Sequence, residues 1–124
     1  MRVIIVDDDP IVAKSLSLIL SAEADIEPIA TGTRGDDAIT LFEECLPDVL
    51  LMDIQMPGRD GLSAAEEILS RHPDARIVFL TTFSDDEYIV RALRLGTRGY
   101  LIKQDISTIA PALRSVMAGQ VVLE

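Results

Sequence analysis

Three features of this sequence predict a doubly wound α/β domain, a parallel sheet with helices on both faces. Short apolar runs alternate with stretches of helical periodicity five times along the chain. The runs are near-continuous in aliphatic and β-branched residues, as in strands covered on both faces. Each run also stops at residues with chemistry in them: Val3-Ile4-Ile5-Val6 at Asp7-Asp8, Val49-Leu50-Leu51-Met52 at Asp53, Ile77-Val78-Phe79-Leu80 at Thr81-Thr82, and Tyr100-Leu101-Ile102 at Lys103. Such alternation winds with right-handed crossovers. The strands then point one way, and their carboxyl ends form the rim where open α/β sheets bind ligands.

The elements follow in order. Strand one is read over 2–6, and Asp9 then caps a helix with Pro10 at its first position and Val12, Leu16, Ile19 and Leu20 on its inner face. A weaker strand is expected near 26–30, at a sheet edge because Pro28 removes a ladder donor. Helix two covers roughly 34–46, with Ala38, Leu41, Phe42 and Cys45 inward, and strand three is 48–52. The run Met56-Pro57-Gly58-Arg59-Asp60-Gly61 is dense in turn residues. Helix three follows over about 62–71 with Leu62, Ala65, Ile68 and Leu69 inward, then strand four at 76–80. Ser84-Asp85-Asp86-Glu87 has capping-box spacing for helix four, and Gly96 closes that helix. Strand five is about 98–102, and helix five starts near Ser107, which puts Pro111 in its first turn.

A chain of 124 residues is one domain, large enough for a real core. The single cysteine, Cys45, excludes an internal disulfide or a cysteine metal cluster and reads as a core thiol. No segment suits a bilayer or a secretory leader, so a cytoplasmic location is expected and no membrane partner. The net charge of −10 without a basic run argues against nucleic-acid binding by these residues alone. The apolar tail Val121-Val122-Leu123 hints that the natural chain continues.

Asp7, Asp8, Asp53, Thr81 and Lys103 would converge on the rim, a set suited to one divalent cation and one phosphoryl group. The segments that carry them, VIIVDDD (3–9), DVLLMDIQMPGRDG (48–61), VFLTTFSDDEY (78–88) and GYLIKQD (99–105), resemble the receiver domain of two-component response regulators along essentially the whole chain. The resemblance implies a flavodoxin-like, five-stranded sheet of order 2-1-3-4-5. It implies Asp53 as acceptor of a phosphoryl group from a sensor histidine kinase, with Mg2+ held directly by Asp8 and Asp53, through water by Asp7, and by the backbone carbonyl of Gln55. Magnesium favours oxygen ligands and keeps several waters, and it would offset repulsion among clustered carboxylates. Lys103, the Thr81 hydroxyl and the Thr82 N–H would contact the phosphoryl oxygens.

Further expectations come from the same resemblance. Thr81 and Tyr100 would form the switch, the hydroxyl moving toward the phosphoryl group and the aromatic then turning inward. Helix four, strand five and helix five would be the readout face. Gln55 and Phe83 would tune phosphoryl lifetime, with bulky Phe83 slowing attack by water. Many receivers place proline after the lysine in a cis bond. This chain has Gln104, for which a cis bond costs several times more, so a trans bond is expected. That loop, with the LTTF and GYLIK segments and the GQVVL tail, looks like the subfamily carrying a LuxR-type helix-turn-helix output domain. DNA would be contacted only through that domain, which is not among these residues, and a homodimer would pair through helices one and five. The cluster Arg91, Arg94 and Arg98 with Asp85, Asp86 and Glu87 reads as plain surface or a dimer contact, and His72 as an exposed loop histidine.

Three alternatives are compatible with these residues. A stand-alone receiver or phosphorelay module would share every site residue. A pseudo-receiver usually lacks an acid or the lysine. A haloacid-dehalogenase-like phosphatase would place its nucleophile in a D-x-D motif; Asp7 and Asp9 fit formally, but Ile11 does not, and Asp9 is better used as a helix cap.

Overall fold

The computed structural model describes residues 1–82 and 85–123. The elements run β1 (Arg2–Val6), α1 (Pro10–Ser21), β2 (Glu27–Gly32), α2 (Gly35–Cys45), β3 (Val49–Asp53), α3 (Gly61–Arg71), β4 (Ile77–Thr81), α4 (Asp86–Leu95), β5 (Gly99–Ile102), a 3-10 turn (Ile106–Thr108), α5 (Ile109–Met117) and β6 (Val122–Leu123). All pairings are parallel, in the order β2-β1-β3-β4-β5-β6.

The five expected strands are present in the expected order, but the sheet has six. The apolar tail pairs with β5, Gly99 opposite Val122 and Tyr100 opposite Leu123. The tail was invisible as a strand because two residues carry no periodicity; only the unpaired edge of β5 gives them a ladder to join. At the opposite edge, β2 holds Pro28 where no neighbour needs its missing N–H.

Strand side chains alternate between two cores, as the period of two requires. Ile4, Val6, Leu50, Met52, Ile77, Phe79 and Tyr100 pack on one face with Ala38 and Phe42 of α2, with Leu62, Ala65 and Ile68 of α3, and with Ala92 of α4. Val3, Ile5, Val49, Leu51, Val78, Leu80 and Leu101 pack on the other with Ala13, Leu16 and Leu20 of α1 and with Ile109, Leu113 and Val116 of α5. Ile19 departs from the expected inner face of α1: it is 43 % exposed, and Ala13 takes the inward position instead.

Two helix starts also differ from expectation. The cap of α4 is Asp85, whose carboxylate accepts from Glu87 N; Ser84, placed at the head of the expected capping box, lies outside the described residues. A 3-10 turn precedes α5, so the α-helix opens at Ile109 with Pro111 in its first turn. Asp9 caps α1 as expected, accepting from Ile11 N at 2.9 Å.

Candidate functional site

The site lies at the carboxyl ends of the three central strands and of β5. Asp7 follows β1 directly, Asp53 is the last residue of β3, Thr81 the last of β4, and Lys103 follows β5. Parallel pairing brings these ends together: Val6 lies opposite Met52, Asp53 opposite Leu80, and Thr81 opposite Ile102. Residues separated by up to 96 positions in sequence are thereby gathered at one end of the sheet.

Carboxylate oxygens of Asp7, Asp8 and Asp53 lie within 4.8 Å of one another. Asp7 and Asp53 are buried, whereas Asp8 is exposed and forms the solvent side of the cluster. The Lys103 ammonium enters from the β5 side. Its Nζ donates to Asp53 Oδ2 at 2.9 Å and forms an ion pair with Asp7 Oδ2 at 2.6 Å. Asp7 Oδ1 accepts from Asp9 N at 2.9 Å, but its Oδ2 receives no well-directed hydrogen bond.

Three carboxylates against one ammonium leave an excess of negative charge, and the pKa shifts follow. Burial pushes the Asp53 carboxyl up to about 6; the hydrogen bond and charge of Lys103 work against this, while Asp7 and Asp8 add to it. Burial also works against the Lys103 ammonium, but its hydrogen bonds to Asp7 and Asp53 outweigh it and hold the lysine above its ordinary value. A buried carboxylate oxygen short of directed donors, among all-oxygen groups with excess negative charge, fits a hard divalent cation.

Thr81 is buried beside this cluster, while Thr82 is exposed at its edge. Gln55 is exposed two residues past Asp53, at the start of the loop to α3. Phe83 lies outside the described residues. Tyr100 differs from an aromatic awaiting inward rotation. It is already inside, 1 % exposed, and its hydroxyl makes no hydrogen bond within reach among the described residues. Burial accordingly raises its pKa. The Lys103–Gln104 bond is trans, as no cis peptide bond is present among the described residues.

Several contributors were not legible in the sequence. Gly61 reads there as one more turn residue, but a Cβ at that position would stand 2.3 Å from the carbonyl oxygen of Asp53. Its lack of a side chain lets the start of α3 close against the end of β3, where Gly61 N donates to Ile54 O at 2.7 Å. His72 is half-buried at the end of α3, its Nε2 2.8 Å from Glu43 Oε1 and its ring tilted against Phe42, so it is a bridge between α2 and α3 rather than a bare loop histidine. Gln104 reaches across the site's rim, its Nε2 donating to Thr82 O at 3.1 Å.

A sheet-end cluster of three acids paired with one lysine, in a doubly wound domain, is an arrangement that can hold one divalent cation and one phosphoryl group. Residues 3–114 match the family model described as "Response regulator receiver domain". The chain belongs to that family. It is 40 % identical to the transcriptional regulatory protein DesR of Bacillus subtilis (strain 168) over 121 residues, covering 97 % of this chain and 60 % of DesR. It is 38 % identical to the oxygen regulatory protein NreC of Staphylococcus aureus (strain JH9) over 122 residues, covering 97 % of this chain and 56 % of NreC. The chain thus spans between 56 % and 60 % of the length of these two curated regulators. Among solved structures it superimposes on a LuxR-family two-component response regulator from Aurantimonas sp. SI85-9A1 with a TM-score of 0.94 and 27 % identity, covering 98 % of this chain and 87 % of that one. The receiver domain of the putative response regulator NarL from Mycobacterium tuberculosis gives 0.90 and 28 %, covering 96 % of this chain and 97 % of that one.

The phosphatase alternative loses its second aspartate in this geometry. Asp9 is spent capping α1 and stands outside the acidic cluster, which draws its third member, Asp53, from β3. No helix among the described residues is long and apolar enough to cross a membrane.

Proposed function

We propose that this domain is a phosphorylation-activated switch in which Asp53 is the acceptor. The observation that supports it best is the position of Asp53: at the end of the central strand β3, 6 % exposed, with Lys103 Nζ at 2.9 Å and two further carboxylates beside it. An Asp53 oxygen attacks the phosphorus of a phosphohistidine on a sensor kinase. The new P–O bond makes an acyl phosphate, the P–N bond breaks, and the imidazole leaves with its electron pair and takes up a proton. Such a transfer asks little covalent work of the protein beyond positioning and charge neutralisation.

Asp7, Asp8, Asp53 and the Gln55 carbonyl would hold Mg2+, which when bound neutralises charge on the transferring phosphoryl group. Lys103 releases its hydrogen bond to Asp53 and pairs with a phosphoryl oxygen while keeping Asp7. The Thr81 hydroxyl and the Thr82 N–H donate to the other oxygens. Since Tyr100 is already inward, the new charge acts through Thr81 rather than by drawing the ring in. Gln55 and Phe83 would tune phosphoryl lifetime.

The relatives named as transcriptional regulators, and the share of their length that this chain spans, favour an output domain for DNA elsewhere in the natural protein, with dimerisation through α1 and α5 and a cytoplasmic location. A stand-alone receiver or relay module would use the same site.

The test is intact mass after incubation with acetyl phosphate, with and without Mg2+, for wild type and Asp53→Ala. A metal-dependent gain of one phosphoryl group, lost in the variant, is expected. A gain that survives the substitution moves the nucleophile to Asp7 or Asp8 and overturns the assignment.

A further inference from the structure

Two hydrogen bonds join the loop after β5 to the end of β4. Lys103 N donates to Thr81 O at 2.7 Å, and Gln104 Nε2 donates to Thr82 O at 3.1 Å. The first fixes the peptide plane between Thr81 and Thr82. In a trans peptide the C=O and N–H point in opposite directions. With the Thr81 carbonyl turned toward β5, the Thr82 N–H is turned the other way, toward β3 and Asp53, because β4 lies between those strands. The second ties the Thr82 carbonyl to the Gln104 side chain. Thr82 is therefore held at the peptide before it and at its own carbonyl, and the second hold depends on one side chain.

We infer that Gln104 is a positioning residue for the phosphoryl site, tying the Thr82 carbonyl to the Lys103 loop so that the ammonium, the Thr81 hydroxyl and the Thr82 N–H keep their mutual placement. Gln104 itself touches no reacting atom. Its backbone follows Lys103 by a trans bond, and its amide supplies the cross-loop contact that holds this loop to the end of β4. This inference rests on the proposed phosphoacceptor role of Asp53.

The experiment compares wild type with Gln104→Met, Gln104→Glu and Gln104→Lys. Methionine keeps length and charge but has no donor, glutamate has no donor and adds a negative charge, and lysine keeps a donor of similar reach. The readouts are the initial rate of phosphorylation by phosphoramidate at saturating Mg2+, the thermal midpoint, and amide hydrogen exchange of the segment after β4. Methionine and glutamate are expected to slow phosphorylation by about 3–10-fold, the loss of one neutral hydrogen bond. Exchange at Thr82 should quicken in both, with thermal midpoints close to wild type, and lysine should stay near the wild-type rate. Rates that rank by charge, with methionine equal to glutamine, would overturn the inference, as would a loss of rate matched by a collapse of the thermal midpoint. If wild type itself takes up no phosphoryl group, the parent reading falls, while hydrogen exchange still reports whether the tie exists; unchanged exchange in the methionine variant overturns the tie directly.

Discussion

Replacing Asp53 by asparagine removes one of three crowded carboxylates and keeps an acceptor of nearly the same shape for Lys103. In metal-free protein the substitution should raise stability, and the gain should depend on pH. The Asp53 carboxyl is pushed from 3.8 to about 6, chiefly by burial. The folded state then holds its proton over a range where the unfolded chain has lost it. The stability contributed by Asp53 is therefore full below pH 3.8 and is lost as pH rises through about 6. A shift of about two units corresponds to roughly 3 kcal/mol. The site opens to solvent through Asp8, and screening cuts this to about 1–2 kcal/mol. For a domain of this length the gain is roughly 3–10 °C in thermal midpoint. The assay is thermal or urea unfolding of both proteins in chelator, at half-unit steps from pH 4 to pH 8. The variant should match wild type near pH 4 and exceed it above pH 6.5. A variant less stable than wild type at pH 8, or a difference that does not change with pH, would refute the claim that desolvation dominates at Asp53.

Other consequences can be checked in the same protein. Adding Mg2+ to wild type should raise the thermal midpoint, by about 2.7 kcal/mol of stability at a hundredfold excess over its dissociation constant, and the effect should shrink sharply in Asp53→Asn. Gly61→Ala would drive a methyl group to 2.3 Å from Asp53 O and 2.9 Å from Ile54 Cα, both backbone atoms with little room to yield. Urea unfolding should show a loss of about 2–3 kcal/mol. Leu51→Ala, in the core between the sheet and α1 and α5, should cost about 2–5 kcal/mol by the same measurement. On the surface, Arg114 of α5 hydrogen-bonds Asp25 and Glu23, and the Arg114 guanidinium draws the Asp25 carboxyl down to about 2. That contribution is present above pH 3.8 and is lost as pH falls through about 2, so the small difference between Arg114→Ala and wild type should fade over that interval and also in high salt.

The strands, their burial on both faces and the polar residue ending each one were legible in sequence because they are local. A continuous aliphatic run such as Val49–Met52 admits few environments, and a capping residue such as Asp9 acts within one helical turn. Family resemblance supplied the strand order and the grouping of Asp7, Asp8, Asp53 and Lys103, which spacing alone leaves open. What the tertiary structure decided is everything that depends on two distant segments meeting. Val122 and Leu123 become a strand only because β5 offers a free edge. Gly61 matters only because α3 begins against the carbonyl of Asp53. His72 finds Glu43 only because α2 and α3 lie side by side, and Gln104 finds Thr82 only because two loops leave adjacent strands. Tyr100 is inward, packed in the same core cluster as Phe79 and Ala92, a matter of three-dimensional packing. Periodicity and capping act between neighbours in the chain, whereas close approach, desolvation and cross-loop hydrogen bonding act between neighbours in space.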